Sequence, residues 1–205
     1  MAPLTVGIDL GTTYSVVAAY RNAKIQILPN SQSSRKSTTA SCVSYGEKEL
    51  LVGEPAKKKL VSNHGNVVYD MKRLIGRSYC DPTVEKSKKF WNFKLEPNDD
   101  ENPVVRVEYL GNQLTVRPED VSAAVLEKMI EVAEKALGKK PTKAVITVPA
   151  YFNQAQKQAT LDAAKKAGLE VPELITEPAA AAYAFTFDKN RLSGNYDLLV
   201  YDFGG

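Results

Sequence analysis

Residues 6–12 read Val6-Gly7-Ile8-Asp9-Leu10-Gly11-Thr12, and the last seven residues, Leu199-Val200-Tyr201-Asp202-Phe203-Gly204-Gly205, repeat the pattern. Each copy is a strand-forming run, an aspartate, an apolar residue, and a glycine followed by glycine or threonine. An aspartate at a strand end is held rigidly and projects its carboxylate into a cleft. The glycine that follows lets the backbone turn tightly and brings N–H groups close to a ligand. Such N–H groups suit phosphate oxygens, and Thr12 and Thr13 add hydroxyl donors. A pair of carboxylates suits a hydrated divalent ion, since magnesium keeps several waters and takes one or two carboxylates. One copy alone is an ordinary structural turn. Two copies, one near each end of the chain, point to a magnesium-nucleotide site clamped between two similar hairpins.

Around the first copy, Leu4–Leu10, Ser15–Tyr20 and Lys24–Leu28 read as three short strands with tight turns, an antiparallel meander. The Ser/Thr-rich stretch from Asn30 to Ser41 reads as a loop. Residues 42–116 mix short strands with polar connections, including a solvated Lys57-Lys58-Lys59 run, an exposed acidic loop from Glu96 to Glu101, and a Pro103–Val116 hairpin returning through Gly111-Asn112. A long helix opens at Pro118, with Glu119 and Asp120 at its positive end and Val121, Val125, Met129 and Ala133 four apart, and stops near Gly138. Ala144–Val148 has the apolar character of a buried strand. Asn153 caps a further helix that ends at Gly168. Leu174–Thr176 is a short strand, Pro178 opens an alanine-rich helix through Ala184, and Leu198–Asp202 forms a last strand after the Ser193-Gly194-Asn195 turn. The order predicts an α/β fold with a mixed sheet and helices on its faces.

Composition narrows the function. The 205 residues are 43% hydrophobic and 25% charged, with Lys+Arg 27 against Asp+Glu 24, the balance of an ordinary globular chain. A net charge of +3 without a clustered basic face argues against nucleic acid. No apolar run approaches the roughly 18 to 20 residues that span a bilayer, and the N-terminus lacks the regions of a signal peptide. Cys42 and Cys80 stand far apart and read as two free thiols, with a single disulfide as the alternative. One histidine, His64, cannot complete a zinc site or support histidine-centred nucleophilic catalysis. Neither G-x-x-x-x-G-K-[ST] nor G-x-G-x-x-G occurs, and Asp202-Phe203-Gly204 lacks the catalytic loop that accompanies it in protein kinases.

Four blocks in order make the reading specific: Ile8-Asp9-Leu10-Gly11-Thr12-Thr13-Tyr14-Ser15, Lys72-Arg73-Leu74-Ile75-Gly76-Arg77, Thr147-Val148-Pro149-Ala150-Tyr151-Phe152-Asn153 and Glu177-Pro178-Ala179-Ala180-Ala181-Ala182-Tyr183. Over essentially its whole length the chain resembles the nucleotide-binding domain of the seventy-kilodalton heat-shock protein chaperones, members of the actin/hexokinase-like ATPase superfamily. The resemblance implies a ribonuclease-H-like, actin-like ATPase lobe. Residues 1–39 and 117–188 would form its core subdomain, 40–116 a small inserted α+β subdomain, and 189–205 the start of a second, truncated lobe.

By the same resemblance, Asp9 and Asp202 hold hydrated magnesium across the cleft, and Gly11, Thr12, Thr13 and Tyr14 form the first phosphate loop, with Gly204 and Gly205 beginning the second. Lys72 takes the place of the catalytic lysine that orients the attacking water and stabilises charge on the γ-phosphate. Glu177 takes that of the carboxylate ordering the water and metal shell. Pro149 and Lys157 match a relay between nucleotide state and the rest of the protein. Read without the resemblance, Lys72 is a surface charge and Glu177 an acidic residue opening a helix. The implied cofactors are ATP/ADP and Mg2+. The implied partners are unfolded client peptides, J-domain co-chaperones and nucleotide-exchange factors in the cytoplasm, with no nucleic acid and no membrane. The parent protein is the enzyme, and this chain alone is expected to be inactive or very weak.

Two departures stand out: Lys157 replaces the family's usual arginine, losing the planar fork, and Phe203 replaces a leucine. Two other readings compete, a non-catalytic module binding co-chaperones and a sugar kinase of the same superfamily. The Lys72 and Thr147–Tyr151 blocks belong to the chaperone branch.

Overall fold

Val6 and Ile8 of β1 (Thr5–Asp9) are buried while Thr5, Gly7 and Asp9 are exposed, the two-residue period of a strand packed on one face. The computed structural model describes residues 4–30, 37–188 and 197–202. After β1 come β2 (Tyr14–Arg21), β3 (Lys24–Ile27), β4 (Thr38–Ala40), β5 (Cys42–Tyr45), β6 (Leu50–Val52), α1 (Glu54–Lys58) and β7 (Val67–Tyr69). The chain continues through α2 (Pro82–Lys88), β8 (Lys94–Pro97), β9 (Pro103–Tyr109), β10 (Asn112–Val116) and α3 (Pro118–Leu137). It closes with β11 (Lys143–Val148), α4 (Gln154–Lys166), β12 (Glu170–Thr176) and α5 (Glu177–Asp188).

The largest sheet runs β12-β11-β1-β2-β3, with β4 added beside β2. β1, β11 and β12 are parallel, whereas β2, β3 and β4 join antiparallel, so the sheet is mixed as expected. Asn22 and Ala23, at φ 53° and 58°, make the two-residue turn between β2 and β3, where left-handed backbone matches the strand twist. Ile8, Ile146 and Val148 pack with Leu126, Met129 and Ala133 of α3 and Ala163 and Ala164 of α4 in one core. The other sheet face carries α5, which lies against β11 and β12.

Two three-stranded sheets, β10-β9-β8 and β6-β5-β7, build a second core around Val43, Val68, Leu74, Val105, Trp91 and Phe93. The first turns of α3 supply Val121, Ala124 and Val125 to this core, and its later turns serve the first. α3 is therefore the shared spine. Its ends match the sequence reading: the Asp120 carboxylate accepts from the Arg117 N–H at 2.9 Å, and Gly138 sits at φ 71°. Asn153 caps α4, its side chain accepting from Gln156 N at 2.9 Å.

Four expectations change. Asn30–Ser41 is not loop throughout, because Thr38–Ala40 pairs with β2, held by Asn30 Nδ2 donating to Thr38 O and Thr39 Oγ1 at 3.1 and 3.0 Å. Glu96 and Pro97 belong to β8, where Glu96 pairs with Lys94 and with Arg106 of the neighbouring strand, leaving the turn to 98–101. β12 starts at Glu170 and α5 runs on to Asp188. The strand expected over Leu198–Asp202 does not form, because no described strand pairs with it; Leu199 is 94% exposed. Phe203, Gly204 and Gly205 lie outside the described residues, as does the Ser193–Asn195 turn. No helix among the described residues is long and apolar enough to cross a membrane.

Candidate functional site

The parallel register sets Ile8 opposite Ile146, and Val148 opposite Thr176. Asp9, Thr147 and Glu177 therefore meet at the carboxyl ends of three adjacent parallel strands, the edge at which open α/β sheets bind ligands. Alternation turns Asp9 and Thr147 away from the α3–α4 core, onto the face that carries α5. There Thr147 Oγ1 donates to Asp9 Oδ1 at 2.7 Å, fixing the carboxylate.

After Asp9 the chain turns through Gly11. A Cβ there would stand 2.1 Å from the Tyr14 carbonyl oxygen, so only glycine permits this loop. Lys72 comes from the second core, on a single 3-10 turn over Met71–Arg73 that follows β7. Asp70 opens that turn at φ 61°; its carboxylate accepts from Trp91 Nε1 at 3.3 Å and pairs with Arg73. Met71 and Leu74 are buried, which leaves Lys72 directed out of the core.

The Lys72 ammonium donates to Glu177 Oε1, closing a contact across 105 residues of chain. The two side chains are only 12% and 23% exposed. An ion pair this sheltered is weakly screened, and removing either partner leaves the other charge partly desolvated.

A cavity of about 590 Å³ is lined by Asp9, Gly11, Thr12, Thr13, Tyr14, Lys72, Glu177 and Asp202, together with Thr147, Ala180, Ala181, Val200 and Tyr201. Every described residue named from the sequence for catalysis, metal or phosphate contact lies on this one surface, while Gly204 and Gly205 fall outside the described residues. Pro149 and Lys157 do not line it. Pro149 is buried in the β11–α4 connection, its carbonyl accepting from Phe152 N at 3.1 Å, and Lys157 sits in the first turn of α4.

Thr147 was not singled out in sequence as a site residue. Its signal was available: a hydroxyl at the carboxyl end of an apolar strand run, just before the Pro149 turn. The cavity combines three carboxylates, those of Asp9, Glu177 and Asp202, with a sheltered cation and a glycine loop carrying hydroxyls. Such a surface can bind a polyphosphate, neutralise charge developing on it and position a water, which is most of what phosphoryl transfer requires. The Asp9 and Asp202 carboxylates, apart from the one paired with Lys72, also fit a largely hydrated magnesium ion.

A family model described as Hsp70 protein matches residues 5–205. Among curated proteins the chain is 49% identical over 200 residues to a heat shock protein of Pyricularia oryzae, covering 98% of this chain and 32% of that protein. It is 46% identical over 200 residues to a heat shock cognate protein of Trypanosoma brucei brucei, covering 98% and 29%. It is 47% identical over 200 residues to a ribosome-associated molecular chaperone of Saccharomyces cerevisiae, again covering 98% and 32%. The chain thus spans about a third of the length of the curated relatives it matches.

Proposed function

The chain belongs to the Hsp70 family, and from that premise we propose that its cavity is one side of a magnesium-ATP site that hydrolyses the terminal phosphate. The observation carrying this reading is the Lys72–Glu177 pair at a cavity whose other walls are Asp9, the Gly11–Tyr14 loop and Asp202. The backbone N–H groups of the loop and the Thr12 and Thr13 hydroxyls cradle phosphate oxygens. Lys72 neutralises charge on the transferred phosphoryl group and orients the attacking water, with Glu177 accepting from that water or from Lys72. Asp9, oriented by Thr147, and Asp202 hold the hydrated magnesium, which when bound shields the phosphate charges.

The lobe divides into a core subdomain (1–39 and 117–188) and an inserted subdomain (40–116), with 189–205 starting the second lobe. The two hydrophobic cores joined along α3 support that division. Pro149, on the β11–α4 connection, and Lys157, in the first turn of α4, carry nucleotide state outward. In the longer protein, ATP turnover drives binding and release of unfolded peptides with J-domain co-chaperones and exchange factors, in the cytoplasm.

The test is Lys72→Ala in a protein carrying the complete ATPase domain. Nucleotide binding stays within about threefold of wild type and single-turnover hydrolysis falls at least about a hundredfold. Hydrolysis near the wild-type rate removes Lys72 from this role.

A further inference from the structure

The Tyr14 backbone is fixed by its close approach to Gly11, but that constraint leaves the side chain free to rotate. Its ring is instead held from the inserted region. It packs against the small cluster of Ala40, Cys42, Ala56 and Val67, and Ala56 belongs to α1. The next residue on α1, Lys57, donates from its ammonium to the Tyr14 hydroxyl and lies 4.7 Å from the ring centroid. One cation thus holds the hydroxyl end of a residue that lines the cavity, while Lys57 itself stays outside the lining.

We propose that Lys57 is a positioning residue for the nucleotide cavity, tethering the Tyr14 side chain so that the loop presents a preformed wall to its ligand. This inference rests on the nucleotide reading of the site. A charge-assisted hydrogen bond to the hydroxyl acts here, and it does not need the lysine to touch the ligand. The hydrogen bond to Tyr14 also holds the Lys57 ammonium above the ordinary lysine range, with the nearby Glu54 charge adding in the same direction. The donor therefore stays charged at neutral pH. Preforming the wall removes an ordering cost from binding, so its loss weakens affinity without touching the chemical step.

The 205-residue chain, with tyrosine rings labelled with carbon-13, is compared by NMR in wild type, Lys57→Met, Lys57→Arg and Tyr14→Phe, first without ligand and then on titration with Mg-ATP. Lys57→Met keeps the stem but removes charge and donor. It is expected to shift the Tyr14 ring resonance and weaken Mg-ATP binding about three- to tenfold. Lys57→Arg, which restores charge and donor, returns the resonance and brings affinity within about twofold of wild type. In the Tyr14→Phe background, Lys57→Met costs less than it does in wild type. A Tyr14 resonance indifferent to Lys57→Met overturns the tether. A responsive resonance with unchanged Mg-ATP affinity overturns the positioning role. Wild-type chain that binds no Mg-ATP overturns the nucleotide reading and this role with it, and is told apart by a ring resonance that still answers to Lys57.

Discussion

Thr147 Oγ1 donates a 2.7 Å hydrogen bond to Asp9 Oδ1, tying together the carboxyl ends of two neighbouring parallel strands. The bond occupies one oxygen of an exposed carboxylate and leaves the other for solvent or a metal-bound water. A carboxylate held in this way loses less freedom when it binds than one on a loop. Thr147→Val, nearly isosteric, keeps the strand but frees Asp9. The magnesium concentration giving half-maximal ATP binding should rise several-fold, about the worth of one net hydrogen bond. An unchanged magnesium titration would separate Thr147 from the metal side of the site.

Gly76, four residues after Lys72, presses its backbone on the first turn of α4. At φ 64°, a Cβ would stand 2.5 Å from Gln156 Cα and 2.7 Å from Ala155 O, both backbone atoms that cannot swing aside. Gly76→Ala is expected to destabilise the chain by about 1–3 kcal/mol in urea unfolding. Gly65→Ala, where nothing lies within 4 Å, should change stability by less than about 0.5 kcal/mol. Equal effects at the two positions would contradict the interlock.

Burial, reinforced by the Glu54 charge, pushes the Cys42 thiol up to about 12, and its Sγ donates to Gly53 O at 3.4 Å. Cys80 is exposed. At pH 8 a thiol reagent such as dithiobisnitrobenzoate should label Cys80 in the native chain and reach Cys42 only on unfolding. Two fast-reacting thiols in the native state would overturn the buried assignment.

Asp120 lies at the junction of α3 and α4. Partial burial alone pushes its carboxyl up, but hydrogen bonds from Lys166 and from the Arg117 backbone outweigh that and hold it below the usual value of 3.8. A depressed carboxylate contributes stability above its unfolded pKa and loses it as pH falls through the folded one. Wild type and Lys166→Met should therefore differ most in urea midpoint near neutral pH and converge as pH falls below the aspartate range. A difference that persists unchanged into acid would assign the effect to packing of the lysine stem.

Much of the frame was legible because the signals were local. Pro118, Asp120 and Gly138 bound α3, Asn153 caps α4, and the Asp9–Gly11 pattern marks a strand end at a cavity. β4 was hidden because Thr38–Ala40 is a strand only through its pairing with β2 and the Asn30 side chain. At the site, Lys72 and Glu177 carry no local signal: one follows a buried methionine, the other opens a helix, and their meeting is a product of tertiary structure. Resemblance to a family supplied them. Lys57, read as part of a solvated run, is distinguished from Lys58 and Lys59 only by the aromatic ring that the fold brings to it.

The central claim is that the surface joining Asp9, the Gly11–Tyr14 loop, Lys72 and Glu177 receives magnesium-ATP. Titrating Mg-ATP into the 205-residue chain while following its backbone amide resonances tests it most directly. The expected result is a magnesium-dependent shift of the Gly11, Thr12 and Thr13 amides with affinity weaker than micromolar, lost in Asp9→Asn. Amides that stay in place at millimolar Mg-ATP, or that shift equally without magnesium, would contradict it.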